Sequence, residues 1–287
     1  MLSYFTWDVS DKIFEVTLFG YPIALRWYGF LFAVGFLIGQ QILYYLFKKE
    51  GKPAKDVDAL MMYGIIGTVI GARLGHYLFY EWEYLLKSPG GWFLDMIVPP
   101  YSGLASHGAT IAILLALYFY SRKRPDQSFL WVVDRVVIPV SLGGAFIRLG
   151  NFMNSEIYGK VTSMPWGVMF VRETNPMLLP VEPRHPTQLY EAGWCIVILV
   201  ITYSLWKFRR HVIPEGTITG VFLILLFTFR FLVEFLKNNQ VSFENDLTLN
   251  MGQILSIPAV LVGIIILVIA NKNNSAQKLE NNGITVP

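Results

Sequence analysis

Residues 217–237 read TITGVFLILLFTFRFLVEFLK, and this stretch decides the fold. At 1.5 Å per residue, a helix of this length runs about 30 Å, the thickness of a bilayer's hydrocarbon core. Its charges fall only in its second half, at Arg230, Glu234 and Lys237. Six further stretches share the apolar pattern, near 28–47, 58–81, 104–121, 130–150, 189–206 and 251–270. The 130–150 stretch is the least uniform, because Asp134, Arg135 and Arg148 interrupt it. Of the 287 residues, 54% are apolar and 15% charged. A soluble domain carries about 25% charged residues. The expectation is an all-α, polytopic membrane protein with about seven transmembrane helices. This balance excludes disorder, a nucleic-acid-binding domain and an ordinary soluble enzyme.

Loop charge sets the expected orientation. The first, third and fifth loops and the C-terminal tail hold twelve Lys and Arg, against six in the segments on the other side. Positive charge accumulates on the cytoplasmic face, so the N-terminus is expected outside and the C-terminus in the cytoplasm. Residues 1–27 form an outer N-terminal segment, without the basic region and apolar core of a cleavable signal peptide. Residues 28–270 form a single membrane domain, and polar 271–287 a disordered cytoplasmic tail. Two outer segments exceed simple connectors. Residues 82–103 hold Trp82, Trp92 and Pro99-Pro100, which suits a piece lying at the interface. Residues 151–188 are long, irregular and rich in Pro. Gly67, Gly71 and Gly75 recur at every fourth position, as do Gly35 and Gly39, a spacing that lets helices approach closely in lipid. The one cysteine, Cys195, lies in an apolar run and reads as a small buried residue.

Polar groups inside spans are expensive and are therefore functional candidates. With the orientation above, His107 lies roughly 6 Å below the outer surface and Arg230 roughly 10 Å. Arg73 and Arg148 fall in the outer parts of their spans, and Asn151, Asn154 and Glu156 follow Arg148 directly. Tyr28 stands at the outer start of the first span. Asp134 and Arg135 lie at an inner end and stand apart. Arginine keeps its charge and presents a planar fork of donors matched to phosphate. Several arginines at one outer depth therefore point to an anionic phospholipid headgroup. Glu156 and Glu234 could hold the forks in place, and Glu234 shares a helix face with Arg230 at i+4. His107 could serve as a general base.

There is no phosphate-binding glycine loop, HExxH or GxSxG motif, and four scattered histidines offer no metal cluster. No cofactor is implied. No protein nucleophile is evident either, so direct transfer between two bound substrates fits better than a covalent enzyme intermediate.

Arg148-Leu-Gly-Asn-Phe-Met-Asn-Ser-Glu-Ile-Tyr-Gly159 resembles the signature of the bacterial prolipoprotein diacylglyceryl transferases, G-R-x-G-N-F-x-N-x-E-x-x-G, with Ile147 in place of its first Gly. Five further pieces agree in order: Arg26-Trp-Tyr-Gly29, Gly71-Ala-Arg-Leu-Gly75, Pro183-Arg-His-Pro-Thr-Gln-Leu-Tyr190, Arg230-Phe-Leu-Val-Glu-Phe235 and Met251-Gly-Gln-Ile-Leu-Ser256. Two positions depart. Ala109 stands where the family usually has the second Gly of His-Gly-Gly, and Leu236-Lys237 where it usually has Phe-Arg.

The resemblance implies transfer of a diacylglyceryl group from phosphatidylglycerol to the lipobox cysteine thiol of a preprolipoprotein. A thioether and glycerol phosphate are the products. The implied site faces the outer leaflet of the bacterial cytoplasmic membrane, and the lipid bilayer is itself a partner. The implied catalytic residues are His107, Arg148, Arg230 and Tyr28. Asn151, Glu156, Gly159 and Glu234 bind substrate, with Arg73 and Asn154 added from their depth. His107 either receives the thiol proton or positions the thiol.

Two other classes make different demands. A transporter for an anionic solute needs polar residues through the whole membrane thickness, whereas this set stops in the outer half. A lipid-binding scaffold needs no His and Asn beside its arginines.

Overall fold

The computed structural model describes residues 4–18, 21–98, 103, 105–172, 180–238 and 248–281. Nine helices and four short strands follow one another in this set. β1 (Phe5–Trp7), β2 (Lys12–Leu18) and β3 (Tyr21–Arg26) precede α1 (Trp27–Lys49) and α2 (Ala54–Phe79). Then come α3 (Trp82–Lys87), α4 (Pro89–Ile97), α5 (Ser106–Arg122), α6 (Phe129–Met153) and β4 (Val168–Phe170). α7 (Thr187–Arg209), α8 (Thr217–Val233), a 3-10 turn (Glu234–Leu236) and α9 (Met251–Asn281) complete the order.

The helical, polytopic reading holds, and each expected span coincides with a helix to within a few residues except at the C-terminus. Among the described residues, six helices are long and apolar enough to cross a membrane. The helix for the remaining stretch, α5, has 17 residues, about a turn short of a comfortable span. Strands replace plain coil in the N-terminal segment. β2 and β3 pair antiparallel, with Val16 opposite Ile23. β-branched residues at Val16, Thr17 and Ile23 suit a strand better than a helix. α9 runs on to Asn281, into the segment expected as a disordered tail. Ala276, Gln277, Lys278, Leu279 and Glu280 are strong helix formers and sustain it. Residues 282–287 lie outside the described set.

The chain divides into two compact units, Leu43–Val133 and the remainder. Within Leu43–Val133, glycines set the packing of α2 on α5. A Cβ added to Gly71 would lie 2.3 Å from the Ala112 Cβ, and one on Gly108 would lie 2.5 Å from the Gly75 Cα. The close approach expected from the Gly67-Gly71-Gly75 spacing is thus present. At the start of α2, Asp56 accepts from Arg124 (2.9 Å) and Gln127 (2.6 Å), and Tyr120 donates to Gln127 (2.7 Å). This closed polar set ties α2 to the turn after α5, so none of these groups is left buried without a partner.

In the other unit, Gly35 packs on Phe146 and Gly39 on Pro139, joining α1 to α6. Cys195 is buried and faces Gly144 of α6, as expected of a small packing residue. Trp194 stacks on Phe229 at 4.8 Å, joining α7 to α8. A Cβ on Gly220 would lie 2.9 Å from the Gly263 carbonyl oxygen, joining α8 to α9. Asp134 caps α8, accepting from the backbone N–H groups of Gly216 and Thr219 (2.8 Å each) and from the Thr219 hydroxyl (2.6 Å). Helix N-termini carry unsatisfied donors and partial positive charge, which a carboxylate answers. Asp134→Ala is expected to cost about 2 kcal/mol, the upper end for an N-terminal cap. An earlier thermal transition in detergent, with transfer activity intact below it, checks this.

Candidate active site

The site is built around the C-terminal end of α6. Arg148 points one guanidinium nitrogen at the Asn151 side-chain oxygen Oδ1 (3.2 Å) and another at a Glu191 carboxylate oxygen on α7 (3.3 Å). Asn151 donates in turn to Glu156 (2.9 Å), and Asn154 donates to the same oxygen (3.3 Å). Four of the residues singled out in the sequence therefore share one network. The chain turns back to allow it. Ser155 (φ 55°) and Ile157 (φ 59°) on either side of Glu156 both take left-handed backbone conformations. That is costly for a β-branched residue such as Ile157, and such outliers gather at functional sites.

The neighbouring chain locks this turn. Gln188 donates to the Glu156 carbonyl (2.7 Å) and Thr187 to that of Ile157 (3.1 Å). Gly159 sits where two segments cross: an added Cβ would lie 2.6 Å from the Leu236 carbonyl oxygen and 2.8 Å from the His185 Cβ. Its place in the site is backbone approach, which only glycine allows. Tyr28 lies against the same stretch, since a Cβ on Gly150 would meet its ring at 2.8 Å. Beneath the turn, Trp7, Phe152, Tyr158, Val168 and Phe170 form an apolar cluster, with Tyr158 and Phe170 stacked at 4.8 Å. Parallel pairing of β1 with β4 carries Trp7 into it.

Arg230, near the end of α8, lies 4.0 Å from Glu234, one turn on, as the i+4 spacing predicts. Glu234 begins the 3-10 turn and also meets the Lys237 amine (3.2 Å) and the Asn250 amide (3.2 Å). Lys237 reaches Glu191 as well (3.0 Å). Glu191 and Lys237 were not singled out as site residues from the sequence. The available signal was a carboxylate near the start of an apolar span, directly after the Pro183–Tyr190 motif. His185, in that motif, contacts the Tyr190 hydroxyl through Nδ1 (3.2 Å), and Trp166 donates to the same hydroxyl (2.8 Å). Burial holds the His185 imidazole below its ordinary pKa, which favours the neutral ring.

Arg73 and His107 lie in the other unit. The Arg73 guanidinium donates to the backbone carbonyls of Asp95, Met96 (3.0 Å) and Gly103 (3.4 Å), and lies over the Tyr77 ring. Its fork holds α4 and the approach to α5. His107 occupies the first turn of α5 and is exposed, next to the Gly108 contact with α2. Among the described residues no group of His, Cys, Asp and Glu is arranged to hold a metal ion.

A sequence profile described as "Prolipoprotein diacylglyceryl transferase" matches residues 16–269. A phosphatidylglycerol–prolipoprotein diacylglyceryl transferase from Chloroherpeton thalassium is 42% identical, over 96% of this chain and 98% of its own. Proteins of the same name from Porphyromonas gingivalis and Tolumonas auensis are 43% and 44% identical, over 96% and 88% of this chain and 98% and 94% of theirs.

Proposed function

The chain belongs to the prolipoprotein diacylglyceryl transferase family, and from that premise we propose that Arg148 and Arg230 hold the phosphate of phosphatidylglycerol while a lipobox cysteine thiol displaces it. The protein is a multi-pass membrane transferase. Its reaction moves a diacylglyceryl group from phosphatidylglycerol to a prolipoprotein, the first step of lipoprotein maturation. One observation carries the site assignment: Arg148 is fixed by Asn151 and Glu191, and Asn151 is in turn fixed by Glu156. A guanidinium held on two sides is preorganised for an incoming anion.

In the proposed step, the peptide sulfur attacks the glycerol carbon that bears the phosphate ester. A C–S bond forms and the C–O bond to phosphate breaks. Glycerol phosphate leaves with the bonding electrons, and the thiol proton passes to a base. The phosphate passes from a diester with one negative charge to a monoester that gains another. Arg148 and Arg230 meet that developing charge, and such contacts are stronger in the transition state than in the ground state. Tyr28, Asn151, Asn154 and Glu156 orient the reacting groups. Gly159 admits the close backbone crossing, and Glu234 orients Arg230. Arg73 holds α4 beside the start of α5. His107 receives the thiol proton or positions the thiol.

The twelve-to-six distribution of loop cations supports an N-terminus outside and a site toward the outer leaflet of the bacterial cytoplasmic membrane. Residues 28–270 then form the membrane domain, with 82–103 and 151–188 on the outer face.

Release of glycerol phosphate tests the reaction scheme. It should require both phosphatidylglycerol and a cysteine peptide, in equal amounts with thioether formed. Release without peptide, or no release at all, contradicts it. The role of His107 shows in pH. A free thiol has a pKa of about 8.5, so near pH 9 most of the peptide is already thiolate. His107→Gln is expected to lower kcat about 10²-fold at pH 6.5, within the range for general-base catalysis, and far less at pH 9. A deficit equal at both pH values would assign His107 to positioning.

A further inference from the structure

The reaction scheme above gives Lys237 no part and uses Glu191 only as a contact of Arg148, yet these two residues occupy the middle of an ion chain. It runs Arg148–Glu191–Lys237–Glu234–Arg230, with successive separations of 3.3, 3.0, 3.2 and 4.0 Å. Exposure grades outward along it. The Lys237, Glu191 and Glu234 side chains are 4%, 7% and 9% exposed, whereas Arg148 and Arg230 are 22% and 41% exposed. A buried centre therefore carries two accessible cationic ends.

We propose that Lys237 and Glu191 are positioning residues for the phospholipid substrate, setting how the Arg148 and Arg230 guanidinium groups face its phosphate. The proposal rests on the roles given above to those two arginines. Three features support it. First, among the described residues Lys237 is the group that touches both carboxylates, and so it joins the Arg148 half of the chain to the Arg230 half. Second, its backbone is fixed: Gly159 bridges to Lys237, and the Lys160 N–H donates to the Leu236 carbonyl (2.7 Å). The strand-like segment that carries the Glu156 turn is thus tied to the lysine. Third, Glu234 is held from the opposite side by Asn250 and by the backbone at Gly252, where an added Cβ would lie 2.6 Å from its carboxyl carbon. With Glu234 anchored, the lysine has little freedom to follow a moving partner.

Charge explains the function of this arrangement. Each carboxylate is shared between an outer arginine and the central lysine. Without the lysine, Glu191 keeps Arg148, and Glu234 keeps Arg230 and the Asn250 amide, so each of these two buried carboxylates loses a full positive charge. Uncompensated buried charge is costly, so both forks would be drawn inward and away from the lipid. Without Glu191, Arg148 keeps Asn151 but loses its fixed second contact. Either change weakens a site for lipid phosphate and leaves the peptide's own contacts unaltered.

The test is steady-state transfer in detergent, with phosphatidylglycerol and a lipobox peptide titrated separately. Lys237→Met is expected to raise KM for the lipid tenfold or more and to leave the peptide KM within twofold of wild type. Glu191→Gln should move the lipid KM the same way, at least threefold. Lys237→Arg, which keeps the charge, should stay within threefold of wild type. The Glu191→Gln/Lys237→Met pair removes one charge of each sign and should be milder than Lys237→Met alone, the mark of coupled residues. Where Lys237→Met fails to fold, Glu191→Gln and the pair read the same quantity. An unchanged lipid KM in these variants, or a loss confined to kcat, overturns the proposal. If Arg148→Ala still abolishes transfer in that case, the roles of the arginines stand without it. No transfer by the wild-type protein overturns both.

Discussion

Arg148→Lys is expected to lower kcat/KM for transfer by about 10²–10³-fold, the usual effect of removing one oriented donor from a developing anion. The substitution keeps the charge, and that makes it informative. Arg148 uses two nitrogens at once, one toward Asn151 and one toward Glu191. A lysine amine is a compact point charge and cannot reproduce that fork. It would settle on the charged Glu191 and release the Asn151 side-chain oxygen Oδ1. Asn151 would then lose the contact that sets its amide against Glu156. Single-turnover transfer with saturating peptide separates this loss from slow product release. A Lys variant with more than a third of wild-type activity would show that charge alone suffices at this position.

A second large effect is expected at a contact made by backbone alone. Gly108→Val inserts a branched side chain where even a Cβ would lie 2.2 Å from the Gly71 carbonyl oxygen and 2.5 Å from the Gly75 Cα. These obstacles are helix backbone, which cannot rotate away. α5 must then shift from α2, at a cost of at least 1–3 kcal/mol for overpacking. His107 is the preceding residue on the same helical turn, so it moves too. The expected result is a markedly lower thermal inactivation temperature in detergent and transfer below a tenth of wild type. Gly64→Ala, on α2 with nothing within 4 Å of the added atom, serves as the control and should match wild type. Equal behaviour of the two variants would contradict the close α2–α5 crossing.

The sequence made visible whatever rests on local spacing. The seven apolar stretches became helices because length and apolar content are local properties. The Gly67-Gly71-Gly75 repeat forecast a close crossing, and Arg230 with Glu234 a shared face; both follow from helix geometry alone. The Arg148–Glu156 run was legible as one cluster because its members are neighbours in the chain.

What escaped notice depends on distant pairing. Glu191 meets Arg148 only because α7 packs beside α6, and Lys237 meets both carboxylates only because the turn after α8 brings it back. No periodicity announces such contacts. Arg73 shows the opposite case. Its place in an apolar span suggested a ligand, yet its donors go to the carbonyls of Asp95 and Met96. The last turn of a helix leaves backbone oxygens unsatisfied, and a buried arginine answers several at once. The β2–β3 hairpin was likewise missed, because the amphipathic strands adjoin a much stronger helical signal at Trp27.

The intact mass of a lipobox peptide, after incubation with the purified protein and phosphatidylglycerol of one defined acyl composition, tests the central claim most directly. The account predicts a gain equal to one whole diacylglyceryl group on the cysteine sulfur, stable to mild alkali at the thioether, with no gain on a Cys→Ser peptide. An unmodified cysteine peptide, or a gain of a single acyl chain, would contradict it.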